Sequence, residues 1–295
     1  MLDLIQNTLD GVAAGASYAL LATGFTLIFG VMRRLNIAFG PSIMVGVFLG
    51  AWVHAHWTAG LWMVALATGA GAVIASVYVE RLSFAAIRGD AALASMASSF
   101  AIWMQIEQGV ALIFPQRTTA YPHLPAPPDA VVGGLMLRGD DAVTLLVALG
   151  VLGILWGLIY RTHFGLEMRA LADNPEAARI ARVNTARVAF LTFLLAGGIG
   201  AVAGLLIAGA DGQISPKFGL WATMKGLIAM MIGGLGSLRG ALLGGLALGI
   251  IEAQAQWYLG AQSREVVVYG LLFAVLILLP GGLAGVRDSG AARKL

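Results

Sequence analysis

Cysteine is absent from the chain. That removes disulfides, thiolate nucleophiles and Cys-ligated metals, and it is compatible with either side of a bacterial inner membrane. Charge is scarce: Asp, Glu, Lys and Arg make up 11% of the 295 residues, against about 25% in soluble domains. Histidine occurs four times, as His54, His56, His123 and His163, at spacings that build neither a metal site nor a Ser–His pair. There is no G-x-x-x-x-G-K-[ST] loop, so the chain itself is not expected to bind ATP. No catalytic residue, metal or cofactor is assigned to it, and an enzyme reading finds no site. The first ten residues, MLDLIQNTLD, carry two acids and no base, so no cleavable secretory signal is expected.

What is plentiful is apolar. The chain is 59% hydrophobic, with mean hydropathy +0.86 and pI near 9.4. A helix needs about 20 apolar residues to cross hydrocarbon. Runs near that size lie at 11–30, 41–56, 60–79, 92–114, 142–160, 188–209, 219–237, 240–257 and 266–283. The second, seventh and eighth are short or broken by glycine, so the expectation is an all-α polytopic membrane protein with eight to nine transmembrane helices. No stretch is long enough for a separate soluble domain, and residues 1–295 are taken as one transmembrane domain. The net charge of +3 does not indicate nucleic acid, because the bases lie between apolar runs rather than on one soluble face.

Those bases set an orientation. Arg33, Arg34, Arg81, Arg88, Arg161, Arg169, Arg179, Arg182, Arg187, Arg239, Arg287, Arg293 and Lys294 fall on one side; Arg117, Arg138, Lys217 and Arg264 fall on the other. The positive-inside rule puts the first group in the cytoplasm, the N-terminus outside and the C-terminus inside. Residues 161–187 are then the main cytoplasmic connection. Its middle reads as a short helix: Asp173 or Asn174 can cap it, Pro175 suits its first turn, and Glu176 complements its positive end. Two readings are open for this segment, a contact with another protein and a basic loop that only fixes topology. The outer connection 115–141 holds Pro115, Pro122, Pro125, Pro127 and Pro128 and is expected to be an ordered, irregular surface, either a docking platform or a simple connector.

Polar groups inside apolar runs are costly and therefore mark candidate pathway residues. Gln105, Glu107 and Gln108 lie in the fourth run and Glu252, Gln254 and Gln256 in the eighth. They read either as a polar vestibule or as groups that snorkel or pair locally. Lys225, in the seventh run, can snorkel outward. A chain of acids at mid-membrane is missing, which disfavours a proton- or sodium-driven carrier. Glycines four apart recur at 11/15, 46/50, 200/204, 236/240, 240/244 and 245/249, the spacing that lets helix backbones approach closely in lipid. Segments 29–50 and 232–249 also share a helix–Arg–helix look that suggests an internal repeat.

Three stretches in order carry a resemblance: SYALLATGFTLIFGVMRRLNIAFG (17–40), RALADNPEAARIARVNTARV (169–188) and GGLGSLRGALLGGLALGIIE (233–252). Together they resemble the permease subunits of branched-chain amino acid-type (LivH-like) ABC importers over nearly the whole chain. The resemblance implies a type II ABC importer-like permease bundle in the bacterial inner membrane. It also implies a second, LivM-like permease, two cytoplasmic ATP-binding subunits that hold ATP and Mg, and a periplasmic solute-binding protein. On that basis Arg169, Ala170, Asn174, Glu176, Ala177, Ala178, Arg182 and Asn184 are the expected ATPase-coupling residues. Gln105, Glu107, Gln108, Glu252 and Gln256 are the candidate pathway or docking groups. The implied cargo is a branched-chain amino acid or a related small polar solute: an amide, urea or an organic acid. The alternative is a stand-alone channel or ion-coupled secondary transporter. The chain departs from the family pattern at Phe39, where His is usual, at Pro41 and Ala186, where acids are usual, at Arg182, where glycine is usual, and at Arg239, where proline is usual.

Overall fold

The computed structural model describes residues 2–57, 60–87, 92–115, 118–279 and 281–284. Arg88, Arg117, Arg287, Arg293 and Lys294, which contribute to the charge bias, lie outside the described residues. Each of the nine apolar runs becomes a helix. They are α1 (Leu2–Met32), α2 (Phe39–Trp57), α3 (Leu61–Val79), α4 (Ala92–Ile113), α5 (Gly139–Arg161), α8 (Thr185–Asp211), α9 (Phe218–Gly233), α10 (Leu238–Leu259) and α11 (Ser263–Leu278). Two shorter helices, α6 (His163–Asp173) and α7 (Pro175–Ile180), fill the long polar connection. A π-helical turn at Glu80–Ala85 extends α3. By length and composition alone, α1, the extended α3, α5, α8 and α10 are sufficient to cross a membrane.

The centre of the bundle is α1, which packs against α10, α8, α9 and α5. Small residues make this possible. A Cβ at Gly11 would lie 2.7 Å from the Ile250 Cα, and one at Gly15 would lie 2.9 Å from the Leu246 Cα. On the other helix, a Cβ at Gly245 would strike the Ala19 backbone, and one at Gly249 would strike the backbone of Gly11 and Gly15. The glycine pairs 11/15 and 245/249 are thus two halves of one seam. With no water to drive helices together in lipid, such backbone approach maximises dispersion contacts. Gly236 does not take part in such packing. It sits at φ +80° with open space at its Cβ position, so it serves the α9–α10 turn rather than a helix seam.

The suggested repeat does not extend to packing. α9 and α10 form a tight hairpin closed by Ser237 N–H donating to the Gly234 carbonyl at 3.1 Å. α1 and α2 are separated by residues 33–38, and α2 packs mainly on α3, α9 and α8. Asn36, buried in that linker, accepts from the Ala38 N–H at 3.1 Å. Phe39, at a position where the resemblance leads one to expect His, is buried edge-on to Phe25 at 4.7 Å, so this position is apolar packing here.

The 115–141 connection is more regular than its prolines suggest. β1 (Thr119–Ala120) pairs antiparallel with β4 (Gln213–Ile214), and β2 (Ala130–Val132) forms a hairpin with β3 (Leu135–Leu137). Gly133 and Gly134 turn that hairpin at φ +62° and +85°, the geometry that Gly-Gly between short apolar strands favours. The Tyr121 hydroxyl is buried 2.9 Å from the Thr68 hydroxyl; burial pushes its pKa up to about 12. Leu124 is buried against Gly209. At the far end of α2, Trp52 stacks on His56 and meets Trp57 edge-on, an amphipathic cluster suited to a membrane–water interface.

Candidate functional site

Two regions of polar chemistry stand at opposite ends of the bundle. The first joins α1, α9, α10 and α11. Lys225 does not snorkel. Its side chain is 1% exposed, and its ammonium donates to Glu252 Oε1 at 3.2 Å and to Glu265 Oε1 at 3.1 Å. The Arg264 guanidinium also donates to Glu252, and it reaches the Tyr18 hydroxyl at 3.3 Å and Gln256 Oε1 at 3.5 Å. Two cations and two carboxylates compensate one another, so the quartet is tolerated in an apolar setting where a lone Lys or Glu is not. Snorkelling loses because Glu252 and Glu265 both stand within hydrogen-bond distance of the Lys225 ammonium.

Beside the quartet is a cavity of about 490 Å³ lined by Asn7, Asp10, Tyr18, Arg138, Glu252, Gln256, Trp257 and Arg264 among others. A neighbouring space of about 400 Å³ shares Asp10, Tyr18, Arg138 and Arg264 and adds Asp141 and Asp211. Of the candidate pathway residues, Glu252 and Gln256 meet here through Arg264. Gln105, Glu107 and Gln108 do not: they lie on α4, which packs against α2 and the π-helical turn. Gln105 accepts from the Tyr78 hydroxyl at 2.9 Å, and Glu107 accepts from the Trp103 indole N–H at 2.6 Å. Gln254 points away, to the Leu4 carbonyl and the Thr8 hydroxyl. Asn7, Arg138 and Arg264 escape a search for polar residues within apolar runs, because all three lie at or beyond run ends.

The second region is the polar segment 161–187. Asn174 Oδ1 accepts from the Glu176 and Ala177 N–H groups at 3.0 and 3.1 Å, with Pro175 in the first turn of α7. Asn174, not Asp173, is the cap. Asn184 in turn caps α8 through the Arg187 N–H at 3.0 Å. α6 precedes this turn. Thr162 caps it, and Gly165, Met168 and Leu171 are buried along one face at three-residue spacing, a pattern present in HFGLEMRALAD beside the more conspicuous NPEAA. Arg33 donates to the Ala172 carbonyl at 3.0 Å at the C-terminal end of α6, where a cation opposes the helix dipole. The Arg169 guanidinium stands 5.1 Å over the Tyr160 ring, and that of Arg239 stands 5.2 Å over Trp156. Arg239, replacing the usual proline, thereby ties the start of α10 to α5. Ala170 is half-buried and Ala178 is 3% exposed and faces the bundle, whereas Glu176 and Ala177 are exposed and Ile180 is 84% exposed.

Arg182 acquires a physical account. It adopts φ +59°, just after α7. Its N–H donates to the Arg179 carbonyl and the Val183 N–H to the Ala178 carbonyl, both at 3.0 Å. This pair of bonds is the Schellman closure, whose left-handed residue is usually glycine. An exposed Arg there bears a backbone cost of about 1 kcal/mol or slightly more. Arg182→Gly is therefore expected to raise stability by about 1 kcal/mol, read as a higher melting temperature in detergent. Arg182→Val is expected to lower it. A melting temperature unchanged in both variants would show that the turn carries no strain.

A bundle of apolar helices with a compensated charge cluster in its interior is the build of a multi-pass membrane protein. The fold is that of solved ABC transporter permeases. The chain aligns with a solved ABC transporter in an inward-facing conformation at TM-score 0.53 and 15% identity, covering 92% of this chain and 85% of that one. By sequence, the chain belongs to the family described as the branched-chain amino acid transport system permease component, whose model matches residues 7–279. It is 33% identical to the high-affinity branched-chain amino acid transport system permease protein LivH of Escherichia coli K12, over 95% of each chain. It is 30% identical to BraD, the corresponding protein of Pseudomonas aeruginosa, again over 95% of each.

Proposed function

We propose that this chain, as one permease domain, is the membrane subunit of an ATP-driven importer of branched-chain amino acids in a bacterial inner membrane. Its N-terminus is outside and residues 161–187 are in the cytoplasm. It works with a second permease, two ATP-binding subunits that supply ATP and Mg, and a solute-binding protein at the outer face, where the 115–141 connection is a platform for docking. The observation that carries this reading is α7. It is a short capped helix whose Glu176, Ala177 and Ile180 are exposed while Ala178 is buried against the bundle. Such an element presents a small, shaped surface to a partner; Ala178 fixes it to the bundle behind it, and Arg33, just after α1, holds the preceding α6. In this reading Glu176, Ala177 and Ile180 meet the ATPase. Asn174, Arg182 and Asn184 shape the turn, Arg169 and Ala170 hold α6, and ATPase closure moves α6 and α7 against α1 and α8. At the other end, Glu252 and Gln256 border the pathway.

The test is ATP-dependent leucine uptake into proteoliposomes containing the assembled transporter and its solute-binding protein. Ala177→Trp and Glu176→Arg are expected to cut uptake and solute-stimulated ATP hydrolysis at least tenfold. The permease melting temperature should stay unchanged, because both side chains are exposed. Wild-type coupling in both variants would remove α7 as the contact.

A further inference from the structure

A groove of about 290 Å³ opens at the end of the bundle that holds residues 161–187. α5 and α10 both pack on α1 but not substantially on each other, and α1 forms the floor between them through Leu27 and Gly30. Nothing lies within 4 Å of the Gly30 Cβ position. Arg169 of α6 and Arg239 of α10 stand on the walls. Their guanidiniums lie over Tyr160 and Trp156, two α5 rings whose centroids are 4.4 Å apart. Two like charges are thus gathered on one aromatic pair. Both arginines are exposed, and neither has a carboxylate within 4 Å among the described residues. Asp173, the one acid on the wall, is exposed and pairs with neither. Of the other polar wall groups, the Ser237 hydroxyl caps α10 and Thr26 is buried. Exposed apolar positions continue from the groove: Gly153 and Leu149, one and two turns from Trp156 on α5, and Leu243, one turn from Arg239 on α10. Aromatic rings at the end of an apolar helix mark a membrane–water boundary, so the paired positive charge stands at headgroup level beside an apolar path.

We propose that this groove seats the phosphodiester of an anionic phospholipid. The two guanidiniums donate to the phosphate oxygens, which their planar donor forks match. Trp156 and Tyr160 back the guanidiniums, and the acyl chains lie along Leu149, Gly153 and Leu243. Two arginines and one aspartate leave the walls with a single net positive charge, the complement of one phosphodiester. A zwitterionic headgroup brings its own ammonium beside the arginines and is disfavoured. A lipid held there braces α6 against the start of α10. Arg239, at a position where the resemblance leads one to expect proline, then meets a ligand as well as a ring. The site depends on the membrane fold and on no particular cargo.

The experiment is native mass spectrometry of the assembled transporter, delipidated in detergent and titrated with three probes. They are phosphatidylglycerol, phosphatidylcholine with the same acyl chains, and glycerol 3-phosphate, which has no chains. The tightest phosphatidylglycerol adduct is expected to form at least tenfold more tightly than any phosphatidylcholine adduct, and glycerol 3-phosphate is expected not to bind at the same concentrations. Arg169→Gln and Arg239→Gln are each expected to weaken that adduct about fivefold, the effect of one cation at a lipid surface. Arg239→Lys keeps the charge and should stay within twofold of wild type. Gly30→Phe fills the groove from its floor and should abolish the tight adduct, while the lipid-free melting temperature stays at the wild-type value. Should Gly30→Phe fail to fold, the arginine variants decide, because both side chains are exposed. Equal binding of the two lipids, or phosphatidylglycerol binding unchanged in both glutamine variants, overturns the site. So does glycerol 3-phosphate binding as tightly as the lipid, which would make it a site for soluble phosphate. None of these results bears on the importer reading, which leucine uptake tests by itself.

Discussion

Gly249→Leu is expected to abolish recovery of folded protein, or to lower its melting temperature by more than any side-chain truncation in the bundle. A Cβ at this position would meet backbone atoms of Gly11 and Gly15, which no rotamer change can move aside. Overpacking against side chains costs about 1–3 kcal/mol because neighbours shift. Here the shift has to be a separation of α1 from α10, and α1 is the helix on which α8, α9 and α5 also pack. Gly15→Leu should behave alike. Gly204→Leu should be milder, since a Cβ there would meet the side chains of Ile43 and Val47 at 2.6 and 2.7 Å. Gly153→Leu should be tolerated, as nothing lies within 4 Å of its Cβ position. Fluorescence-detected size exclusion and thermal melting of the four variants give the order. Equal damage at Gly153 and Gly249 would show that glycine content, not the seam, sets stability.

Lys225→Met is expected to destabilise the protein by about 3–5 kcal/mol, the range for removing one partner from a buried ion pair. The methionine fits the volume, so the loss is electrostatic: Glu252 keeps Arg264 but loses its buried ammonium. Removing the carboxylate as well, in Lys225→Met/Glu252→Gln, should recover part of that loss, because the buried carboxylate that has lost one of its two cations is gone. Glu265→Gln should cost about 0–1 kcal/mol, since the Glu265 side chain is 45% exposed and water can solvate what is left. The readout is thermal melting of the purified protein at neutral pH. If Lys225→Met melts with wild type, or the double variant is worse than the sum of its parts, the quartet is not a charge-compensated unit.

Much of the chain's organisation was legible because it is local. Asn174 and Pro175 start α7 by satisfying or omitting the first N–H groups of a turn, and that chemistry is complete within three residues. The Gly-Gly turn of β2 and β3 and the spacing of Gly165, Met168 and Leu171 in α6 are equally local, and both were masked by a louder neighbour: prolines in one case, NPEAA in the other. Arg182 was anomalous in sequence for a reason that a dihedral angle supplies. The polar residues of the apolar runs were a different matter. Gln105, Glu107 and Gln108 look as promising as Glu252 and Gln256 in composition, and only their neighbours divide them.

By itself, the sequence determined that this is a polytopic helical membrane protein and where its apolar helices lie. Hydrophobic run length, charge placement and capping act over one helix or one turn. The tertiary structure alone decided which glycine pairs form a seam and which polar groups meet. Arg264 of the quartet reaches Tyr18 across 246 residues, and Lys225 reaches Glu252 across 27. In an apolar medium a charge is stable only beside its counter-charge, so the identity of the partner, and not the charge itself, sets whether a residue snorkels, pairs or faces a cavity.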